Sequence, residues 1–226
     1  MGTARPLEVV PPTDEPIVGW RAWHLAPGAP GLLPAGAGVG SDTWQPRAAT
    51  TARCGLNRLL SIGRPVHESP GERCRCGIYA HRSLEDFARD TVPAYPPPSV
   101  VGTVALWGRV IEHERGWRAA HAYPARLRLV CVLCAWVEPG PGTPAVVHVF
   151  DGHASVLCRH HREGIELPDG RRTTPTGIDP AGLQARLLDA YAVDLLPADR
   201  LDPLLDRPSA APPPPFFPVI RPVRLP

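Results

Sequence analysis

Six cysteines fall into two compact clusters, Cys54 with Cys74 and Cys76, then Cys131 and Cys134 with Cys158, and each has a histidine at ligand spacing. Zinc in structural sites takes four tetrahedral Cys and His ligands, and two ligands one or two residues apart can come from one tight turn. The second cluster meets this rule at both ends: two residues separate Cys131 from Cys134, two separate Cys158 from His161, and the 23 residues between the pairs suffice for a hairpin. His160 is the alternative to His161. In the first cluster, Cys54 is followed by His67 after 12 residues, by Cys74 after six more and by Cys76 one residue beyond, with His81 as rival to His67. Each set would use three thiolates and one imidazole, which leaves no open position for water or substrate, so the expected cofactors are two structural zinc ions. The alternative is that the thiols are buried packing residues.

Metal also answers a need created by composition. With 31 prolines and 21 glycines in 226 residues, the chain is interrupted too often for long helices or an extensive core. A structural zinc site contributes on the order of 10 kcal/mol to folding. No lysine occurs, so all 24 basic residues are arginine, and the net charge is only +2. That balance does not mark a nucleic-acid binder, although Arg126 with Arg128 and Arg171 with Arg172 form local basic pairs. No stretch approaches the ~20 apolar residues that span a bilayer, and the first residues lack the apolar core of a secretory signal. These features predict a cytoplasmic protein without membrane contact, in a compartment where clustered cysteines ligate metal.

Residues 1–16 read as a flexible, proline-rich tail. IVGWRAWHL at 17–25 mixes aromatic and β-branched residues as strands do, with imperfect alternation, and 26–41 has the composition of a loop. CGLNRLLSI suits one short helix. GIYAHRSLEDFARD reads as a strand turning into a helix, with Ser83 as N-cap, Asp86 completing a capping box, and Leu84 and Phe87 facing inward. The segment from Val100 to Cys134 predicts two or three antiparallel strands broken at Glu114–Trp117, with Gly116 in the turn. PGPG at 139–142 and the DGHA turn bracket a hairpin that brings the second cysteine pairs together. DPAGLQARLLDAYAVDLL predicts a helix, with Asp179 as N-cap, Pro180 in its first turn, and Leu183, Leu187 and Tyr191 recurring every four residues. The fold class is α+β: a β-rich, zinc-stabilised core of antiparallel strands with a few short helices and proline-rich tails. Its divisions are 1–16, a core over 17–135, a zinc-ribbon-like hairpin over 131–168, a helical segment over 169–207 and a tail over 208–226, in which Phe216 and Phe217 are apolar anchors.

Catalytic motifs fail one by one. Gly77-Ile78-Tyr79 lacks the second half of the nuclease signature that begins this way, and His113-Glu114 is not followed by the second histidine of a zincin. No His-x-Glu precedes Cys131 as a zinc deaminase requires. A polar group remains, Glu112, His113, Glu114, Arg115 and Arg118, in a strand pair otherwise rich in aromatics. It reads as a recognition surface, as a hydrolase centre built on Glu112, His113 and Glu114, or as a solvent-facing hairpin on which Glu112 pairs with Arg118. Trp107, Trp117 and Tyr123 beside it read as core.

CRCGIYA followed by VVGTVALWGRVIEHERGWRAAHAYP, together with VGWRAW, Trp44-Gln45-Pro46, Cys54 and His67, resembles an uncharacterised actinobacterial protein family over residues 17–135. The resemblance implies no known activity. The expected function is therefore a non-enzymatic, zinc-stabilised binding or adaptor module. A protein partner would be recognised by Glu112, His113, Glu114, Arg115 and Arg118 and by the Phe216-Phe217 tail. Alternatives are a nucleic-acid ligand held by arginines such as Arg159 and Arg162, or hydrolysis.

Overall fold

A computed structural model describes residues 8–10, 15–26, 31–34, 43–54, 67–90, 97–150, 152–167, 169–206 and 221–223. In chain order these form β1 (Glu8–Val10), β2 (Ile17–Leu25), β3 (Leu32–Pro34), β4 (Thr50–Thr51), β5 (Ile78–His81), α1 (Leu84–Asp90), β6 (Val100–His113) and β7 (Gly116–Leu129). They continue with α2 (Val132–Trp136), β8 (Pro144–Phe150), β9 (His153–Cys158), β10 (Ile165–Glu166), β11 (Thr174–Pro175), α3 (Pro180–Tyr191) and β12 (Asp194–Leu195). A 3₁₀ turn over Asp199–Leu201, α4 (Asp202–Leu205) and β13 (Arg221–Pro222) complete the set. The protein is β-rich and mainly antiparallel with a few short helices, as its sequence predicts.

The long hairpin β6–β7 organises the sheet. Its turn is Glu114-Arg115, so His113 pairs with Gly116 and Glu112 with Trp117. β2 runs along β6 from Ile17↔Leu106 to Trp23↔Val100, β5 pairs with β7, and Trp20↔His81 joins β5 back to β2. Four strands, β2, β6, β7 and β5, thus close a ring. From β2 the sheet continues through Leu25↔Ala154 into the hairpin β8–β9, so both cysteine clusters hang from one sheet.

The imperfect alternation of β2 has a physical reason: both of its faces are covered. Trp20 and Ala22 pack in one apolar cluster with Phe87, Val101, Trp136 and Leu204, while Trp23 and Leu25 pack in another with Trp44, Leu106, Leu127 and α3. Such a strand reads as nearly continuous apolar sequence. On α3, Asp179 accepts hydrogen bonds from the Ala181 and Gly182 amides at 3.2 and 2.7 Å, and Leu183, Leu187 and Tyr191 are buried, all as expected. The Tyr191 hydroxyl accepts from the Leu32 amide at 2.9 Å and donates to the Trp44 carbonyl, and Tyr123 donates to the Tyr191 carbonyl at 2.7 Å.

Several expectations need correction. α3 ends at Tyr191, with Ala192 in the left-handed region at φ 50°, and Asp194-Leu195 then leaves as a parallel strand beside β7. Leu32–Pro34, inside the expected loop, pairs with β2, Glu8–Val10 pairs with β6, and Arg221–Pro222 pairs with β10. In each case pairing with a neighbouring strand's backbone makes a strand of a segment of two or three residues, too short to be read as one from the sequence. Cys131-Val132-Leu133-Cys134 forms the start of a helix instead of continuing a strand, so the second cluster combines a helical turn with a hairpin end and is not a ribbon of two like knuckles. The helix expected over CGLNRLLSI lies outside the described residues, apart from Cys54.

Candidate metal centres

The structure assembles both cysteine clusters with the histidines first named for them. In Cys54, His67, Cys74 and Cys76 the ligand atoms lie within 4.8 Å of one another, and the same holds for Cys131, Cys134, Cys158 and His161. Either group could hold a metal ion.

The second centre lies in the core. Cys131, Cys134, Cys158 and His161 are 0 to 2% exposed. Cys131 stands at the N-cap of α2, its amide donating to the Gly142 carbonyl at 3.0 Å, and Cys134 follows within the first helical turn. The Trp136 indole donates to the Pro98 carbonyl at 2.7 Å and fixes the other end of this helix. Cys158 ends β9, and the turn after it folds back through the His161 amide, which donates to the Cys158 carbonyl at 3.1 Å. Buried His148 bridges Thr173 Oγ1 at 2.9 Å and the Arg162 carbonyl at 3.1 Å, and so holds that turn from below. Among the sulfurs, Cys134 lies 3.7 Å from Cys158, and His161 Nδ1 lies 3.4, 3.5 and 3.4 Å from Cys131, Cys134 and Cys158. Nε2 of the same ring lies 2.8 Å from Glu138 Oε1. The carboxylate accepts the Nε2 proton, which leaves the Nδ1 lone pair facing the thiols.

The metal-free thiols are electrostatically coupled: hydrogen bonds from Cys131 and Cys134 hold Cys158 well below its ordinary range. Neighbouring Cys134 and Cys158, with burial, push the Cys131 thiol far above its ordinary range. Burial would lower His161, yet Cys134, Cys158 and Glu138 together raise it to about 10 in the metal-free cluster, where a proton sits at Nδ1 that a bound cation would replace. Three thiolates this close repel one another, and only an added positive charge lets all three ionise.

The first centre is shallower: its four ligands are only partly buried. Cys54 follows β4 in the chain and lies 3.7 Å from Cys74, and Cys76 accepts the Gly71 amide at 3.3 Å. His67 Nδ1 lies 2.9 Å from the Glu68 carbonyl. A carbonyl only accepts, so Nδ1 carries the proton and Nε2 is left to ligate. The rivals are placed elsewhere: His81 packs edge-on against Phe87, and His160 is exposed with its ring 4.8 Å from that of His161.

Behind the first centre lies a residue whose role the sequence concealed. Arg118 is 2% exposed, and its Nη1 donates to the carbonyls of Cys74, of Cys76 at 3.1 Å and of Gly71 at 3.4 Å. Its Nε donates to His113 Nε2 at 2.6 Å. This overturns the Glu112–Arg118 pair: Glu112 pairs instead with Arg82, and Arg118 is not available to a partner. His113 stacks on Tyr79, and burial followed by the Arg118 charge lowers its pKa, so it is a neutral acceptor. Glu112 and His113 therefore serve different partners on opposite faces of β6, while Glu114 and Arg115 form the exposed turn. Of the aromatics expected in the core, Trp107 is 36% exposed and stacks on His121. Phe216 and Phe217 lie outside the described residues.

Two glycines press against ligands. A Cβ on Gly71 would stand 2.7 Å from the His67 ring, and one on Gly140 would stand 2.7 Å from Cys134 Sγ. Glu138, His148 and the contacts of these glycines with the ligands escaped sequence reading. Among the described residues no helix is long and apolar enough to cross a membrane. Compared with known protein families, with curated proteins and with solved structures, the chain matches none.

Proposed function

We propose that this protein is a non-catalytic binding module whose fold is held by two zinc ions. The observation that carries the reading is the spacing of the ligand atoms. Metal–sulfur bonds of about 2.3 Å and metal–nitrogen bonds of about 2.0 Å at tetrahedral angles place sulfurs ~3.8 Å apart and sulfur ~3.5 Å from nitrogen. One sulfur pair stands at 3.7 Å in each centre, Cys54–Cys74 and Cys134–Cys158, and His161 Nδ1 stands 3.4 to 3.5 Å from its three sulfurs. A disulfide would need ~2.0 Å. Four protein ligands close each shell, so the ions act on folding and not on substrate.

The residues of the rival hydrolase reading do not converge. His113 Nε2, which a general base would use, is occupied by Arg118, and Glu112 is held by Arg82. A protein partner is the reading we adopt, with the Glu114-Arg115 turn and the exposed Trp107 and Tyr79 as its contact residues. A nucleic-acid ligand is second: Arg159 and Arg162 line a groove of about 430 Å³ with Val146 and Pro175. Against it, Arg162 is paired with Glu163 and Arg171 with Asp169.

Elemental analysis tests the framework, with two zinc ions per chain as the expected result. Replacement by cobalt should then give tetrahedral thiolate spectra that added anions leave unchanged. A spectrum that shifts with added anion would reveal an open position and overturn the non-catalytic reading.

A further inference from the structure

The two centres differ in one respect that bears on chemistry. At the second, Cys131, Cys134 and Cys158 are 0, 2 and 1% exposed and are packed among Val130, Leu133, Trp136 and Leu157. At the first, Cys54, Cys74 and Cys76 are only partly buried, and the residues that precede them, Arg53, Arg73 and Arg75, are all exposed. Oxidants select thiolates by access, so the two centres present unequal targets.

Geometry also selects the pair. Cys54 and Cys74 stand in sulfur contact at 3.7 Å and come from separate segments, so a bond between them closes a loop of 19 intervening residues. Cys74 and Cys76 are one residue apart, a spacing that strains a disulfide. Arg118 anchors the carbonyls of Gly71, Cys74 and Cys76, whereas Cys54 sits in the irregular segment after β4. Closing 3.7 Å to a bond of ~2.0 Å is therefore a movement of Cys54 toward a held Cys74.

We infer that the Cys54–Cys74 pair is a reversible oxidation site for hydrogen peroxide or a related two-electron peroxide oxidant, one that releases the ion of the first centre while the second keeps its own. The inference rests on the zinc reading above. One thiolate attacks the peroxide: the O–O bond breaks, a sulfur–oxygen bond forms, and hydroxide leaves. The second thiolate attacks that sulfenic sulfur, the S–S bond forms, the S–O bond breaks, and a second hydroxide leaves. The two sulfurs lose two electrons and the peroxide gains two. Zinc departs with its charge unchanged, because two of its four ligands have become a neutral disulfide. The Arg118 anchor keeps the Cys74–Cys76 segment in place, so reduction restores the seat.

The test uses the full chain, with zinc counted before any oxidant is added. Hydrogen peroxide is then titrated in while zinc release is read with a chromogenic chelator and disulfides are mapped by peptide mass spectrometry. The expected result is release of one of two ions, a Cys54–Cys74 link, unmodified Cys131, Cys134 and Cys158, and recovery of the lost ion with a thiol reductant and added zinc. Fewer than two ions at the start overturns the zinc reading and the inference with it. With two ions present, release of both in parallel, release of neither, or a first centre oxidised without the Cys54–Cys74 link overturns the inference alone.

Discussion

Glu138 holds the imidazole of His161 from the side opposite the sulfurs, its Oε1 2.8 Å from Nε2 while Nδ1 faces the three cysteines. The carboxylate fixes the tautomer and makes the ring a better donor. Glu138→Ala should weaken metal binding at the second centre about 10- to 100-fold, and Glu138→Gln, which keeps an acceptor, should lose less. Competition with a chelator of known affinity measures both. Equal affinity in Glu138→Ala and the parent chain would remove the positioning role.

Gly140 and Gly71 leave no room for a side chain against Cys134 and His67. Overpacking of this kind costs about 1 to 3 kcal/mol, roughly a five- to 150-fold loss of affinity. Gly140→Ala should depress the affinity of the second centre and Gly71→Ala that of the first, each leaving the other near its parent value. Site-resolved metal titration checks the assignment, and a reversed pattern would refute it.

Arg118→Ala would strand the carbonyls of Gly71, Cys74 and Cys76 and the His113 nitrogen together. A buried polar group left unsatisfied costs about 1 to 3 kcal/mol, so the loss in folding free energy should be at least about 3 kcal/mol. Arg118→Lys keeps the charge but not the fork that reaches several acceptors, and it should recover only part of that. Denaturant midpoints measure both variants, and a change below about 1 kcal/mol in Arg118→Ala would contradict the anchor.

His24 is 7% exposed, and burial followed by neighbouring His153 lowers its pKa to about 4. An unfolded histidine protonates near 6.5, so on acidification the unfolded chain takes up a proton that the folded chain refuses. The contribution of His24 is complete above pH ~6.5 and is lost as pH falls toward ~4, amounting to about 3 kcal/mol. Acid also protonates metal ligands, so the quantity to compare is the slope of stability with pH in the parent chain and in His24→Leu. The variant should show the shallower slope, and parallel slopes would clear His24 of the effect.

The candidate centres were legible because ligand chemistry is local: Cys131 with Cys134 and Cys158 with His161 carry their meaning in a four-residue window. β2 and α3 were legible for a related reason, since Asp179, Pro180 and the Leu183, Leu187, Tyr191 series state cap, start and buried face within one segment. Arg118 was not. Placing Gly116 in the hairpin turn puts Glu112 opposite Arg118, whereas the Glu114-Arg115 turn puts Trp117 there, and a slip of one residue exchanges the faces of a strand. Nothing local tells an arginine that three carbonyls 42 to 47 positions upstream await it. The strands of two or three residues, such as Glu8–Val10 and Arg221–Pro222, were equally hidden, because their existence is a property of the partner strand.

The strand that closes the ring, Ile78–His81, begins two residues after Cys76, and its pairing covers Gly116 to Ala119 of the long hairpin. The first centre is thereby a clasp on the sheet. Should the ion and the Arg118 anchor both be lost, this strand peels away and β7 presents a row of unsatisfied amides and carbonyls to other chains. Loss of clasp and anchor together would then be felt as self-association, before any loss of the buried core around the second centre.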